Sequence, residues 1–360
     1  MTTQLEAPAP SIDLAAVEEF FGKVAADSAA GYNAILVYLG DRLGLWRALS
    51  SVDRATSEQL SERSGLAERY VREWLSAQAA AGYVTYDEAT GAFSLPAEHA
   101  MVLADDDSPA AGVAVFEIIA AVWASVDRLA HAYATGAGVG WHEHDQRLFG
   151  GVERFFRTAY RNSLVSEWVP AVDGLAERLE AGIRVLDVGC GLGSATIMLA
   201  EAFPASTFVG VDYHDESVRR ANAAAEAAGV ADRVQFHVGE ASSWTGEYDL
   251  VCYFDAVHDM GDPVGALAHA RQGLAPGGVV LAVEPYAEDG LAANLTNPIA
   301  AVYYAASSCL CVPNSVSQGG AALGAQAGPK RLTAAFEQAG FSTARVAGST
   351  PYNLVIEGRG

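Results

Sequence analysis

A glycine triplet, three acids and one histidine hold most of the chemistry this chain can perform. Residues 184–197 read RVLDVGCGLGSATI, in which an apolar run ends in Asp187 and Gly189, Gly191 and Gly193 then alternate with Cys190 and Leu192. A strand running into a glycine-rich turn and then a helix is a nucleotide cradle. Two more acids close two further apolar runs, Asp212 after FVGV and Glu240 after HVG. His258-Asp259 follows a fourth run, and Glu284 ends a fifth.

The type of nucleotide follows from what the loop lacks. A phosphate-binding loop ends in Gly-Lys-Ser/Thr, whereas Gly193 is followed by Ser194 with no Lys nearby. The dinucleotide fingerprint G-x-G-x-x-G does not close either, because the sixth position is Ser194 counted from Gly189 and Thr196 counted from Gly191. Asp187 is poorly placed beside a pyrophosphate and well placed beside a cationic amine. S-adenosylmethionine presents an ammonium, a sulfonium, a ribose and an adenine, and no phosphate. A carboxylate at Asp212 accepts from the ribose hydroxyls, as it also would for a nicotinamide dinucleotide. Glu240 is in reach of the adenine amine. Tyr213, Gly239 and Ala241 flank these acids, Phe254 and Asp255 end the fourth run, and together they complete the expected cofactor cradle with the glycine loop and Cys190.

The elements that must position these groups alternate in type. Strands are expected at 183–188, 207–212, 234–238, 248–254, 278–284, 341–347 and 352–357. Helices begin near Gly193, Asp215, Pro263 and Lys330. This is the pattern of an α/β fold with a Rossmann-like, doubly wound seven-stranded sheet. The last two strands are joined by a short Gly-Ser-Thr-Pro turn, which demands an antiparallel hairpin at the end of the sheet. The connection over 286–329 is unusually long and reads as a lid or a loop without structure of its own.

Before the sheet, residues 11–38 have helical apolar spacing, 39–49 read as a helix, and Thr56 and Gly65 cap and stop another. A helix over 67–82 and a hairpin over 83–95 complete an α-helical winged-helix domain. The expected boundaries are 1–103 for this domain, 104–180 for a helical linker and 181–360 for the cofactor domain.

Residues 165–360 resemble the class I S-adenosylmethionine-dependent methyltransferases. VLDVGCGLG is similar to that family's first motif, VGVD to its second, and LAPGGVVLAVEP to the segment around its fifth strand. A winged helix ahead of this fold resembles the small-molecule O-methyltransferases of plants and actinobacteria, whose first domain dimerises and helps wall the substrate pocket. The resemblance implies that His258 removes the proton of the acceptor hydroxyl and that Glu284 orients it. It also implies a homodimer and a small-molecule substrate, in a pocket formed by Phe156, Tyr160, Tyr303, Tyr304 and Cys309. The family's further acid before the last helix is missing, since this chain has Gly328-Pro329-Lys330-Arg331 there.

Charge and composition narrow the alternatives. The net charge is −22 over 360 residues, and residues 40–103 hold nine acids against six bases. Such a chain repels nucleic acid, which argues against a winged-helix transcriptional regulator with a sensor domain. An enzyme using the same cofactor fold for chemistry other than methylation stays open. Four cysteines without a regular framework fit a reduced, cytoplasmic setting. Cys309-Leu310-Cys311 lacks a second ligand pair, and the WHEHD run at 141–145 reads as a polar loop at the mouth of the site, so no metal is expected. No membrane association is expected either, because the longest apolar stretch, near 112–126, is short and contains Glu117.

Overall fold

The computed structural model describes residues 12–360 and divides into two compact units, the first ending at Asp105 and the second comprising Asp106–Gly360.

In the first unit a 29-residue helix, Leu14–Arg42, continues through the start of the helix expected at 39–49. The break falls at Gly44, whose left-handed backbone (φ 72°) turns the chain into a separate short helix, Leu45–Ser50. Thr56 caps Ser57–Ser64 through a reciprocal capping box with Gln59, and left-handed Gly65 ends it, as their residue types require. Helix Glu68–Ala80 and the antiparallel strands β1 (Thr85–Asp87) and β2 (Ala92–Ser94) complete the winged helix. On Glu68–Ala80, Arg72 is held by Glu68 at 2.8 Å and Arg69 by Glu73 at 2.7 Å, so its cations are matched by acids of the same helix.

The second unit is built on seven strands: β3 (Arg184–Val188), β4 (Thr207–Asp212), β5 (Val234–Val238), β6 (Tyr248–Phe254), β7 (Leu274–Pro285), β8 (Thr343–Ser349) and β9 (Asn353–Arg359). Their order is β5-β4-β3-β6-β7-β9-β8, parallel from β5 to β7, with β9 antiparallel to both of its neighbours. Alternate residues feed the two faces. Val185, Cys252 and Phe254 join one core with Trp168, Phe208 and Phe236, while Leu186, Val251 and Tyr253 join the other with Leu267 and Phe336. Strands buried on both faces read as unbroken apolar runs, which is why they were legible.

Several boundaries differ from expectation. Strand β7 starts four residues early because Leu274 pairs with Tyr248 across a register shift. Strand β8 lies two residues later at both ends, with Ser349 still paired to Leu354, and β9 ends two residues late because Arg359 pairs with Thr343. Residues 286–329 are not a structureless loop: helices Leu291–Asn294 and Ala300–Ala306, a wide-turned segment Ser307–Cys311 and helix Val312–Ser317 occupy much of the stretch. An alanine-rich run without internal glycine favours helix, and Gly319, Gly320 and Gly324 come only after it.

Gly40 lies where the first helix crosses two tryptophans. A Cβ there would sit 2.6 Å from Trp46 Nε1 and 2.7 Å from Trp74 Cζ2. The indoles pack edge to face at 4.6 Å, and their nitrogens donate to Val37 O and Leu36 O. Alanine normally gains about 1 kcal/mol over glycine inside a helix. Overpacking two pinned rings costs about 1–3 kcal/mol, so it outweighs that gain. Gly40→Ala is expected to lower stability by about 1 kcal/mol, read as a reduced urea midpoint. An unchanged or raised midpoint would show that the rings yield.

Candidate functional site

The sheet reverses its winding between β3 and β6, and the C-terminal ends of β3 to β6 face one cleft there, of about 1160 Å³ including its open mouth. That is where open α/β sheets bind ligands. The glycine loop forms its floor. Gly189, Gly191 and Gly193 all have positive φ, and a Cβ on Gly193 would strike the Phe236 ring at 2.5 Å. A Cβ on Gly191 would meet nothing within 4 Å, so this glycine leaves open space beside the backbone. Asp212 ties loop and strand together, accepting from Gly191 N at 2.9 Å and His214 N at 2.8 Å.

Asp187 lies beneath this floor, only 1% exposed. One carboxylate oxygen accepts from Thr196 Oγ1 at 2.5 Å, and the other is buried without a partner. Burial pushes this carboxyl up to about 7, against the pull of Thr196. Asp212 is raised for the same reason. Glu153, Asp212, Glu240, Asp255 and Asp259 line the cleft, and among the described residues no Lys or Arg does. A pyrophosphate does not fit a wall of this sign. A ligand with an ammonium, a sulfonium and ribose hydroxyls does, and the unpartnered Asp187 oxygen is an acceptor still waiting for a donor.

Past β6 the chain makes a tight turn. Asp255 has φ 53°, one of two non-glycine residues in the left-handed region among those described. The turn directs three backbone N–H groups at Glu284 on β7: Ala256 at 3.3 Å, Val257 at 2.9 Å and His258 at 3.2 Å. Glu284 also meets His258 Nδ1 at 2.6 Å, with both residues buried. Burial alone would pull the imidazole down, but the Cys311 sulfur and the Glu284 carboxylate beside it hold it above the ordinary imidazole range. Asp259 has a different partner. It accepts from Trp141 Nε1 at 2.7 Å, and burial lifts it to about 6.

That bond belongs to a seam across the mouth. Trp141 N donates to Asn314 Oδ1, Asn314 Nδ2 to Asp259 O, Ser315 Oγ to Met260 O and Val139 N to Pro313 O. The WHEHD loop, the turn after β6 and the inserted helix are thus stitched together. Neither Trp141 nor Asn314 carries a motif, and the tryptophan's place beside an apparent polar loop was the only sequence signal for it.

Of the residues expected at the cofactor, Gly189, Cys190, Gly191, Asp212, Tyr213, Gly239, Glu240, Ala241, Phe254 and Asp255 line the cleft. Asp187 and Gly193 lie just behind its surface. Phe156 and Tyr160 also line it, but Tyr303, Tyr304 and Cys309 do not. Tyr303 and Cys309 pack instead on Leu148, Leu310 and Cys311, and Tyr303 donates to Tyr352 O. His258 and Glu284 stand behind the wall formed by Ala256 and Asp259, outside the lining.

Comparison with known proteins agrees with this geometry. A model of an Rv2258c-like winged HTH domain matches residues 31–105, and one of a methyltransferase domain matches residues 179–340. The 27-O-demethylrifamycin SV methyltransferase of Amycolatopsis mediterranei is 35% identical over 103 residues, covering 28% of this chain and 38% of that protein. The chain spans 27–40% of the length of the curated relatives it matches. The mitomycin 7-O-methyltransferase MmcR shares the fold at a TM-score of 0.71 and 19% identity, over 97% of this chain and 100% of its own. Human N-acetylserotonin methyltransferase, solved with S-adenosylmethionine, does so at 0.65 and 16%, over 94% and 96%.

The raised Asp187 fixes a sign. Without ligand this carboxyl is mostly protonated below pH 7, and a bound ammonium favours its ionised form. S-adenosylmethionine is therefore expected to displace about one proton at pH 6, and its affinity should rise with pH and level off above about 7. Calorimetry in buffers of different ionisation heat reads the proton, and Asp187→Asn should abolish its release. Binding at pH 6 with no proton released would contradict the assignment.

Proposed function

We propose that this chain, a class I S-adenosylmethionine-dependent methyltransferase with an N-terminal winged-helix domain, transfers a methyl group to a hydroxyl of a small, partly aromatic molecule. The observation that carries the reading is the acidic cleft at the switch point, which among the described residues has no lysine or arginine, with the unpartnered Asp187 Oδ1 behind its glycine floor. Asp187 would face the ammonium, Asp212 the ribose and Glu240 the adenine. The cofactor supplies an electrophilic methyl on a sulfonium, so this chain's task is to align the acceptor and accept its proton. The aromatic side of the cleft, with Phe156, Tyr160 and Phe254, suits a flat acceptor.

The proton acceptor in this reading is His258. Its Nδ1 is committed to Glu284, and the ring is also bonded to the Cys311 side chain, so Nε2 would serve the acceptor hydroxyl once Cys311 has withdrawn. Since the ring is 6% exposed behind the cleft wall with Cys311 beside it, this role requires the inserted segment 286–329 to move when both ligands bind. The insertion then works as a lid, with Tyr303 as an anchor. The matched charges on Glu68–Ala80 support a winged helix that does not read DNA. The helix Leu14–Arg42 instead leaves Phe20, Phe21, Tyr32 and Ile35 more than half exposed. Such a stripe supports pairing of two copies, which light scattering would read as a mass of two chains; a single-chain mass would contradict it.

His258→Ala is expected to bind S-adenosylmethionine nearly as well as the unaltered protein while the chemical step falls about 10²–10⁴-fold. The unaltered rate should rise with pH and level off, because only the neutral ring accepts a proton, with its midpoint above the ordinary imidazole value. Single-turnover kinetics on an accepted phenol measure both. A loss of only a few-fold would mean that alignment alone drives transfer.

A further inference from the structure

Asp255 was grouped with the cofactor cradle, yet its surroundings give it a different role. Its left-handed backbone is a conformation that a non-glycine residue keeps only when its surroundings hold it. The turn is fixed on both sides: Asp255 N donates to Val283 O at 2.7 Å, and the next three N–H groups are held by Glu284. The carboxylate is also positioned. Asn353, buried on β9, donates its Nδ2 to Asp255 Oδ1 at 3.3 Å. The other oxygen, Oδ2, is shielded from solvent and has no partner.

The place of Asp255 in the cleft indicates what that oxygen serves. Asp255 lines the cleft next to Phe254, on whose ring Tyr160 packs at 5.8 Å, and Phe156 stacks on Tyr160 in turn. This is the aromatic part of the cleft, whereas Asp187 and Asp212 flank the glycine loop. Burial and the Glu284 carboxylate push the Asp255 carboxyl well above the usual range, so its ionised form is costly until a donor reaches Oδ2.

We propose that Asp255 Oδ2 accepts a hydrogen bond from the methyl acceptor and selects molecules that present a hydroxyl or amine N–H to the aromatic wall. This rests on the reading of the cleft as a methyltransferase site, and it concerns the acceptor side alone. A buried acceptor left unpaired penalises a ligand without a donor far more than a missing methylene would. The site therefore discriminates against acceptors whose donor is already capped.

The test uses the full chain saturated with S-adenosylhomocysteine and two probes, 4-ethylphenol and 4-ethylanisole, which differ by one methyl on the oxygen. Ligand-observed NMR should give the phenol at least about tenfold tighter binding. Asp255→Asn keeps a residue that tolerates the left-handed region but replaces a carboxylate oxygen with an amide. In this variant the preference should fall to about threefold or less, with S-adenosylhomocysteine affinity unchanged within about twofold, which also reports a folded cleft. Equal binding of the two probes to the unaltered protein, or a preference that survives in Asp255→Asn, would overturn the proposal. So would a tenfold loss of S-adenosylhomocysteine affinity in the variant, which would return Asp255 to the cofactor. Failure of the unaltered protein to bind S-adenosylhomocysteine would instead overturn the methyltransferase reading on which the proposal stands.

Discussion

A carboxylate that is 1% exposed and only half hydrogen-bonded sets the terms for this site. Asp187 lies one residue before the end of β3, and an ionised carboxylate there is costly unless a positive partner comes close. Among the described residues its hydrogen-bond partner is one hydroxyl, from Thr196. The remaining acids along the cleft add to the same field. In our proposal a ligand that carries positive charge relieves that cost, and the glycine loop lets it approach the backbone. A phosphate loop has the opposite design, since it directs backbone N–H groups and a lysine at an anion.

A second carboxylate organises the reaction side by being fully satisfied. Glu284 accepts three consecutive backbone N–H groups and the His258 ring. These bonds fix the turn after β6, and the turn in turn fixes Asp255 toward the cleft and Asp259 toward Trp141. Loss of Glu284 would leave three buried N–H groups unpaired, each costing about 1–3 kcal/mol. Its place at the end of β7, opposite Leu354 of β9, ties that turn to the sheet.

Much of the cofactor half was legible because its signals are local. A buried parallel strand is an apolar run, an acid marks its end and alternating glycines mark the turn, so Asp187, Gly191 and Asp212 could be found from a few adjacent letters. The winged helix was legible for the same reason, through Thr56, Gly65 and the hairpin. What could not be read depends on contacts between distant segments. Asp259 stood beside His258 in the sequence, yet it pairs with Trp141, 118 residues away. Tyr303 and Cys309 looked like pocket residues because they are apolar and lie in a long connection, but helix formation over 300–317 turns them onto Leu148 and Leu310. The position of His258 behind the cleft wall likewise follows from the turn and from Cys311, neither of which has a sequence signature.

The claim that this cleft is built around a cation can be tested with one comparison. S-adenosylhomocysteine and its analogue lacking the α-amino group share the adenine, the ribose and the thioether, and differ only in the charged group offered to Asp187. Calorimetric titration of both ligands against the unaltered chain at pH 8 should give at least about tenfold weaker binding of the deaminated analogue, the loss expected for a charge-assisted hydrogen bond. Equal affinity would mean that Asp187 is not a cation site and would contradict the account of the cleft at its centre.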